Sequence, residues 1–181
     1  MNEGRYRPRM RFFHPNSKGT GCALSLELAP AIGNDEGFIM VTVANQASVG
    51  NRQGQNPVFP TFDWEGALTV KLGFEDLCKM LQVLRGECES VGEGKGLYHS
   101  YANASTVITF RHLVEPVPGY ALGVRRTYAD GKESRAAIVL SSWEALGLCE
   151  SIAGSMGAIC FGVPVARPRT EKQTDKKHEA A

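Results

Sequence analysis

One pattern occurs twice in this chain, and that repetition limits what it can fold into. Ala67–Gly86 reads as an apolar strand running directly into an amphipathic helix, and Ala136–Gly154 reads the same way. At an offset of about 69 positions, Phe74 matches Trp143, Glu75 matches Glu144 and Leu77 matches Leu146. Met80 then matches Cys149, and Val83 matches Ile152. Internal similarity of this kind fixes an architecture before any single residue is weighed.

What precedes each copy also corresponds. In the first half, Cys22–Leu28 alternates, with Cys22, Leu24, Leu26 and Leu28 on one side, and Phe38–Ala44 is rich in β-branched residues. Both are strand patterns. Ala47–Pro60 carries glycines, asparagines and prolines and reads as an exposed loop, followed by the strand Gly66–Leu72. Leu77, Met80, Leu81 and Leu84 form the apolar stripe of the first helix, which Gly86 stops. In the second half, Leu97–Tyr101, Thr106–Val114, Tyr120–Tyr128 and Arg135–Leu140 read as strands, with a hairpin turn at Asp130-Gly131-Lys132. Ser141 and Glu144 have capping-box spacing and start the second helix. Gly147, Gly154 and Gly157 weaken it, and Ala158–Val165 is expected to form a short final strand.

The expected fold class is therefore α+β, with two β-β-β-β-α repeats and helices packed on one side of antiparallel sheets. Residues 1–18 are assigned to a basic arm or edge strand, 19–88 to the first repeat, 94–165 to the second and 166–181 to a disordered charged tail, within one fused domain of 181 residues. No apolar run approaches the ~18 residues of a membrane span, and the N-terminal residues, with no apolar segment behind them, are not expected to be a secretory signal. The expected location is cytoplasmic. Five cysteines without a C-x-x-C pair argue for free thiols rather than zinc or disulfides.

Charge is uneven although the net is only +1. Residues 1–20 hold Arg5, Arg7, Arg9, Arg11 and Lys18 against Glu3, whereas residues 21–166 are net acidic. The four arginines alternate. In an extended segment they would project to one side ~6.6 Å apart, close to the phosphate repeat of an extended single strand. Pro8 restricts the segment to an edge strand or a flexible arm, and a basic leader with chance spacing is the other reading. Lys71, Arg111 and Arg125 fall on the polar sides of their strands, with Phe13, Tyr98 and Tyr101 as interleaved aromatics. Cations neutralise phosphates and aromatic faces stack bases.

The sequence contains no H-E-x-x-H, G-x-S-x-G, P-loop or G-x-G-x-x-G motif. His112 reads as a structural histidine, His99 as either a base-stacking or a sheet-filling residue, and Asp63 and Glu65 as flanks of a solvated loop around Trp64. No catalytic or metal-binding set is expected, and no cofactor.

The tandem β-β-β-β-α plan, with helices running off the fourth strands at Ala67–Gly86 and Ala136–Gly154, resembles the Whirly and PC4-like group of single-stranded-nucleic-acid-binding proteins. The plant Whirly KGKAAL signature is absent, and Gly94-Lys95-Gly96-Leu97 is its nearest analogue. The resemblance implies helix-to-helix packing of the halves, a homo-oligomer (dimer or tetramer), and binding of single-stranded DNA or RNA across the sheets in transcription or genome maintenance. On this reading Arg5, Arg7, Arg9, Arg11, Lys71, Arg111 and Arg125 contact phosphates, and Tyr98 and Tyr101 stack bases. The alternative is a structural or regulatory homo-oligomer whose sheet face binds a protein partner.

Overall fold

Two antiparallel sheets, each followed by a helix, enclose one core in a computed structural model that describes residues 8–51, 56–116 and 118–163. The first sheet contains β1 (Arg9–His14), β2 (Cys22–Ala29), β3 (Phe38–Ser48) and β5 (Leu68–Leu72), with the two-residue β4 (Thr61–Phe62) on the far end of β3. β3 is 11 residues long and serves two partners. Ile39–Val43 pairs with β5, while Gln46 and Ser48 pair with β4. Helix α1 (Phe74–Leu84) leaves β5 after Gly73. A 3-10 turn at Val91–Gly94 then leads into the second sheet, a meander of β6 (Leu97–Tyr101), β7 (Ala104–Leu113), β8 (Gly119–Tyr128) and β9 (Glu133–Leu140). Helix α2 (Ser142–Phe161) closes the described chain.

The registers show that the halves are equivalent rung by rung. Leu26–Val41–Val70 crosses the first sheet as Phe110–Leu122–Ile138 crosses the second. Leu24–Val43–Leu68 corresponds in the same way to Ile108–Val124–Ala136. All these residues are buried in one apolar cluster with Leu77, Met80, Leu81, Leu148, Ile152 and Ile159 from the helices. Because strand side chains alternate, the opposite side of each sheet is left for other work.

The equivalence moves the repeat by one residue. The helix N-caps are Gly73 and Ser141, so Asp76 corresponds to Glu144 as the third helical residue, and Leu77 to Ala145. The match of Leu77 with Leu146 is thereby corrected: Leu77 is buried and Leu146 is exposed.

α2 also departs from expectation. It runs through Gly154 and Gly157 to Phe161, so no final strand forms at Ala158–Val165 over its described part. A helix end leaves carbonyls without intrahelical partners. Here Ala158 O accepts the Ala31 N–H at 3.0 Å and Ile159 O accepts the Gly37 N–H at 3.1 Å. The β2–β3 loop thus satisfies the last turn. Gly37 permits that approach, since a Cβ there would lie 2.6 Å from the Ile159 Cα. By length and composition alone α2 could cross a membrane, contrary to the expectation that no such segment exists. Its glycines and serines conceal that from a search for apolar runs. Leu148, Ile152 and Ile159 place its inner face in the core, and 33% of its most apolar stretch is buried.

Candidate nucleic-acid interface

The surfaces away from the core carry the basic and aromatic side chains. On the first sheet, Arg9, Arg11 and Phe13 alternate outward from β1 while Met10, Phe12 and His14 turn inward. The strict alternation expected of the N-terminal arginines therefore holds for Arg9 and Arg11. Arg5 and Arg7 lie outside the described residues, as does the charged tail from residue 166. β1 is an edge strand, as Pro8 allows.

Register extends this face across the sheet. Arg9 stands opposite Glu27, followed by Met40 and Lys71, and Arg11 opposite Ser25, followed by Thr42 and Thr69. Arg9 Nε donates to Glu27 Oε2 at 2.6 Å, so its charge is locally matched. Arg11 is differently placed. Its guanidinium lies 5.4 Å from the centre of the Trp64 ring, within cation–π range, and its Nε is 3.4 Å from Ser25 Oγ. Phe13 lies 5.6 Å from Phe62 and 6.4 Å from Trp64, the latter edge to face. Phe13 and Trp64 are exposed. Lys71 lies 4.5 Å over the Phe38 ring. Arg11, Trp64, Phe13 and Phe62 thus form one linked basic and aromatic cluster on this sheet.

Sequence reasoning left Trp64 in a solvated loop and did not use Phe62. Their placement comes from pairing distant in sequence: β4 joins β3, and the Asp63 N–H donates to Asn45 O at 2.9 Å. Asp63 Oδ1 in turn accepts the Gly66 N–H at 2.9 Å and closes the turn. A tryptophan flanked by turn residues was the available signal.

On the second sheet one rung runs Tyr98–Val107–Arg125–Arg135. It is the counterpart of the rung that begins at Phe13, since His14–Cys22 and His99–Thr106 are the neighbouring rungs. Phe13 and Tyr98 thus occupy equivalent outward positions on the first strands of the two sheets. Arg111 is exposed on β7 and pairs across to Ala121. Tyr101 is also exposed, but it is three residues from Tyr98 and so emerges on the opposite face of β6. The two tyrosines are not brought together on one face, and Tyr98 alone shares a rung with Arg125. Arg135, absent from the sequence-based set, directly opposes Arg125.

The histidines have other partners. His14 Nε2 lies 2.8 Å from Glu144 Oε1, and His99 Nε2 lies 3.1 Å from Asp76 Oδ2. His112 is exposed rather than buried and packs 4.9 Å from the Tyr120 ring. All five cysteines are free thiols. Among the described residues no group of three or more His, Cys, Asp or Glu side chains could hold a metal ion.

No family model and no curated protein matches the sequence. Solved structures do match. WHY1 from Arabidopsis thaliana superposes with a TM-score of 0.69 at 14% identity, over 87% of this chain and 88% of that one. The plant transcriptional regulator PBF-2 gives 0.65 at 16% identity, over 86% and 83%. WHY3 from Arabidopsis thaliana gives 0.63 at 18% identity, over 86% and 92%. The two meandering sheets, each running into its helix, are thus arranged over nearly the whole described chain as in these proteins, and the chain has the Whirly fold.

Proposed function

We propose that this protein is a non-enzymatic binder of single-stranded nucleic acid that acts as a homo-oligomer. The observation that carries this reading is an exposed aromatic at the same outward position of both sheets, with arginine on each face at positions that differ between the two. Phe13 and Tyr98 face outward from the first strands, with Arg11 beside one and Arg125 on the rung of the other. Aromatic faces stack on any base, at about 1–3 kcal/mol each, and arginines take phosphates, so such a surface reads a strand with little sequence preference. Arg9, Arg11, Lys71, Arg111 and Arg125 are the phosphate contacts within the described residues. Arg5 and Arg7, outside the described residues, are assigned phosphate contact on their sequence alone. Stacking is assigned to Tyr98, Phe13 and Trp64, with Tyr101 serving a strand that wraps the edge of β6. PBF-2, which shares this fold, is a plant transcriptional regulator, and a role in transcription is in keeping with that likeness.

Self-association is supported by α2. Trp143, Leu146 and Phe161 are 74%, 63% and 90% exposed on a helix whose opposite face is already in the core. A helix apolar on all sides is ordinarily covered on all sides, and a second copy of the chain is the occupant we assign to its outer side.

The test is fluorescence anisotropy with a labelled ~30-nucleotide strand at about 50 and 200 mM salt, with duplex as control. Binding that prefers the single strand and weakens steeply with salt is expected, because each neutralised phosphate releases counterions. Charge reversal at Arg111 and Arg125 together should abolish most of it. Absence of binding at the lower salt concentration would turn the reading to the alternative, a regulatory oligomer whose sheet face meets protein.

A further inference from the structure

An open cleft of about 680 Å³ lies over the outer side of the second sheet, bordered by Thr20 and Asn45 from the first half of the chain. Its floor is flat because successive strands place small residues side by side. Thr109, Gly123 and Ala137 form one rung, and Gly123 is held so close to Thr109 that a Cβ would lie 2.7 Å from the hydroxyl. On the next outward-facing rung, two residues along, Arg125 and Arg135 stand directly opposite one another. Like charges in that position destabilise a sheet. Glu133 offers partial relief: its carboxylate accepts from Arg135 at 2.6 Å and is held below the usual carboxylate range by that hydrogen bond first and by the charges of both arginines. Lys95 also lines the cleft. Two opposed arginines therefore share the Glu133 carboxylate, and Lys95 adds a third cation to the lining of a flat, small-residue floor.

We propose that this cleft takes one nucleotide of the bound strand, with the base lying on the Gly123–Ala137 floor and its phosphate held between Arg125 and Arg135. The inference rests on the single-strand reading above and assigns one subsite within it. The volume falls in the range of small-molecule sites, about 300–1,000 Å³. It admits a nucleotide but not a run of stacked ones. An anion between the opposed arginines relieves the repulsion that Glu133 leaves. Tyr98, two strands and ~10 Å from Arg125 on the same rung, stacks the adjoining base outside the cleft. At the rim, the Thr20 hydroxyl is engaged by the Asn16 carboxamide and Asn45 Nδ2 donates to Arg135 O, which leaves the Asn45 carboxamide oxygen to meet a base edge, so the seated nucleotide is where any base preference arises.

Ala137→Leu fills the floor from an exposed position and leaves the core rungs untouched. With the full chain and a labelled ~30-nucleotide strand, it should lower affinity about tenfold while the thermal transition stays in place, a change equivalent to 1.4 kcal/mol. Arg135→Gln, which keeps the backbone and removes the opposed charge, is the second variant and should reduce both affinity and the salt slope. Millimolar deoxyadenosine monophosphate should shift the amide resonances of Gly123 and Ala137 in the wild type and not in Ala137→Leu. A wild type that binds the strand, together with variants that bind within twofold of it, overturns the cleft assignment and leaves the single-strand reading standing. A wild type that binds no strand overturns both.

Discussion

His14 and His99 occupy equivalent rungs of the two sheets, and each reaches the helix that belongs to the other repeat. His14 meets Glu144 at the start of α2, and His99 meets Asp76 at the start of α1. Both carboxylates also bond at their own N-caps. Glu144 Oε2 accepts the Ser141 N–H at 2.9 Å and hydroxyl at 2.8 Å, and Asp76 Oδ2 accepts the Gly73 N–H at 3.2 Å. A carboxylate in a first helical turn also suits the helix dipole. Burial pushes the Glu144 carboxyl up, but hydrogen bonds from His14 and Ser141 outweigh it, so the group titrates below its ordinary value of 4.5. A group depressed in the folded state stabilises above its unfolded value and loses that contribution as pH falls through its folded value. Glu144→Gln should therefore cost about 1.5–3 kcal/mol near neutral pH, with the gap from wild type closing on acidification below 4.5. Urea denaturation of both proteins near pH 7 and in mild acid measures it. A gap of constant size would mean that the charge of Glu144 does not matter. Neither histidine contact was legible in the sequence, because the partners are far apart and periodicity reports faces, not neighbours across a core.

At the level of elements, local chemistry was legible and long-range pairing was not. The meander β6–β9, its Asp130-Gly131 turn and the start of each helix follow from alternation, turn residues and capping spacing. The end of α2 was misread because Gly154 and Gly157 speak against a helix in isolation, whereas Ala31 and Gly37 cap its last turn from a loop more than a hundred residues earlier. Tyr98 and Tyr101 were grouped by composition, yet a spacing of three in a strand divides them between faces. The Arg11–Trp64 contact depended on β4, which is two residues long and has no period to detect. α2 carries the prediction at this scale. Leu146→Asp replaces an exposed leucine on its outer side and adds a charge next to the exposed Trp143. Sedimentation should show a smaller species than the wild type, with thermal unfolding of the protomer otherwise two-state. An unchanged mass would remove this side of α2 from the proposed interface.

Across the whole molecule, neither repeat is complete without the other. The inner rungs of both sheets and both helices contribute to a single apolar cluster, and α1 packs against α2. Polar links also cross between halves: Arg126 Nη2 donates to Thr69 O at 2.6 Å and Asn45 Nδ2 to Arg135 O at 3.4 Å, beside the two histidine–carboxylate contacts. Separation would expose one wall of the core in each half and leave each helix start without its histidine. Ordering backbone costs about 1–2 kcal/mol per residue, and a half chain that buries only its own strands against its own helix must offset that cost without the wall of core the other half supplies. Expressed alone, residues 1–88 and 94–181 should each lack a cooperative thermal transition by circular dichroism. Mixed in equal amounts they should regain the native spectrum, and Leu148→Ala, which hollows the shared core, should weaken their association by about 2–5 kcal/mol. A cooperative transition in either half by itself would show that the repeat folds as an independent unit and that the crossed contacts join two finished domains.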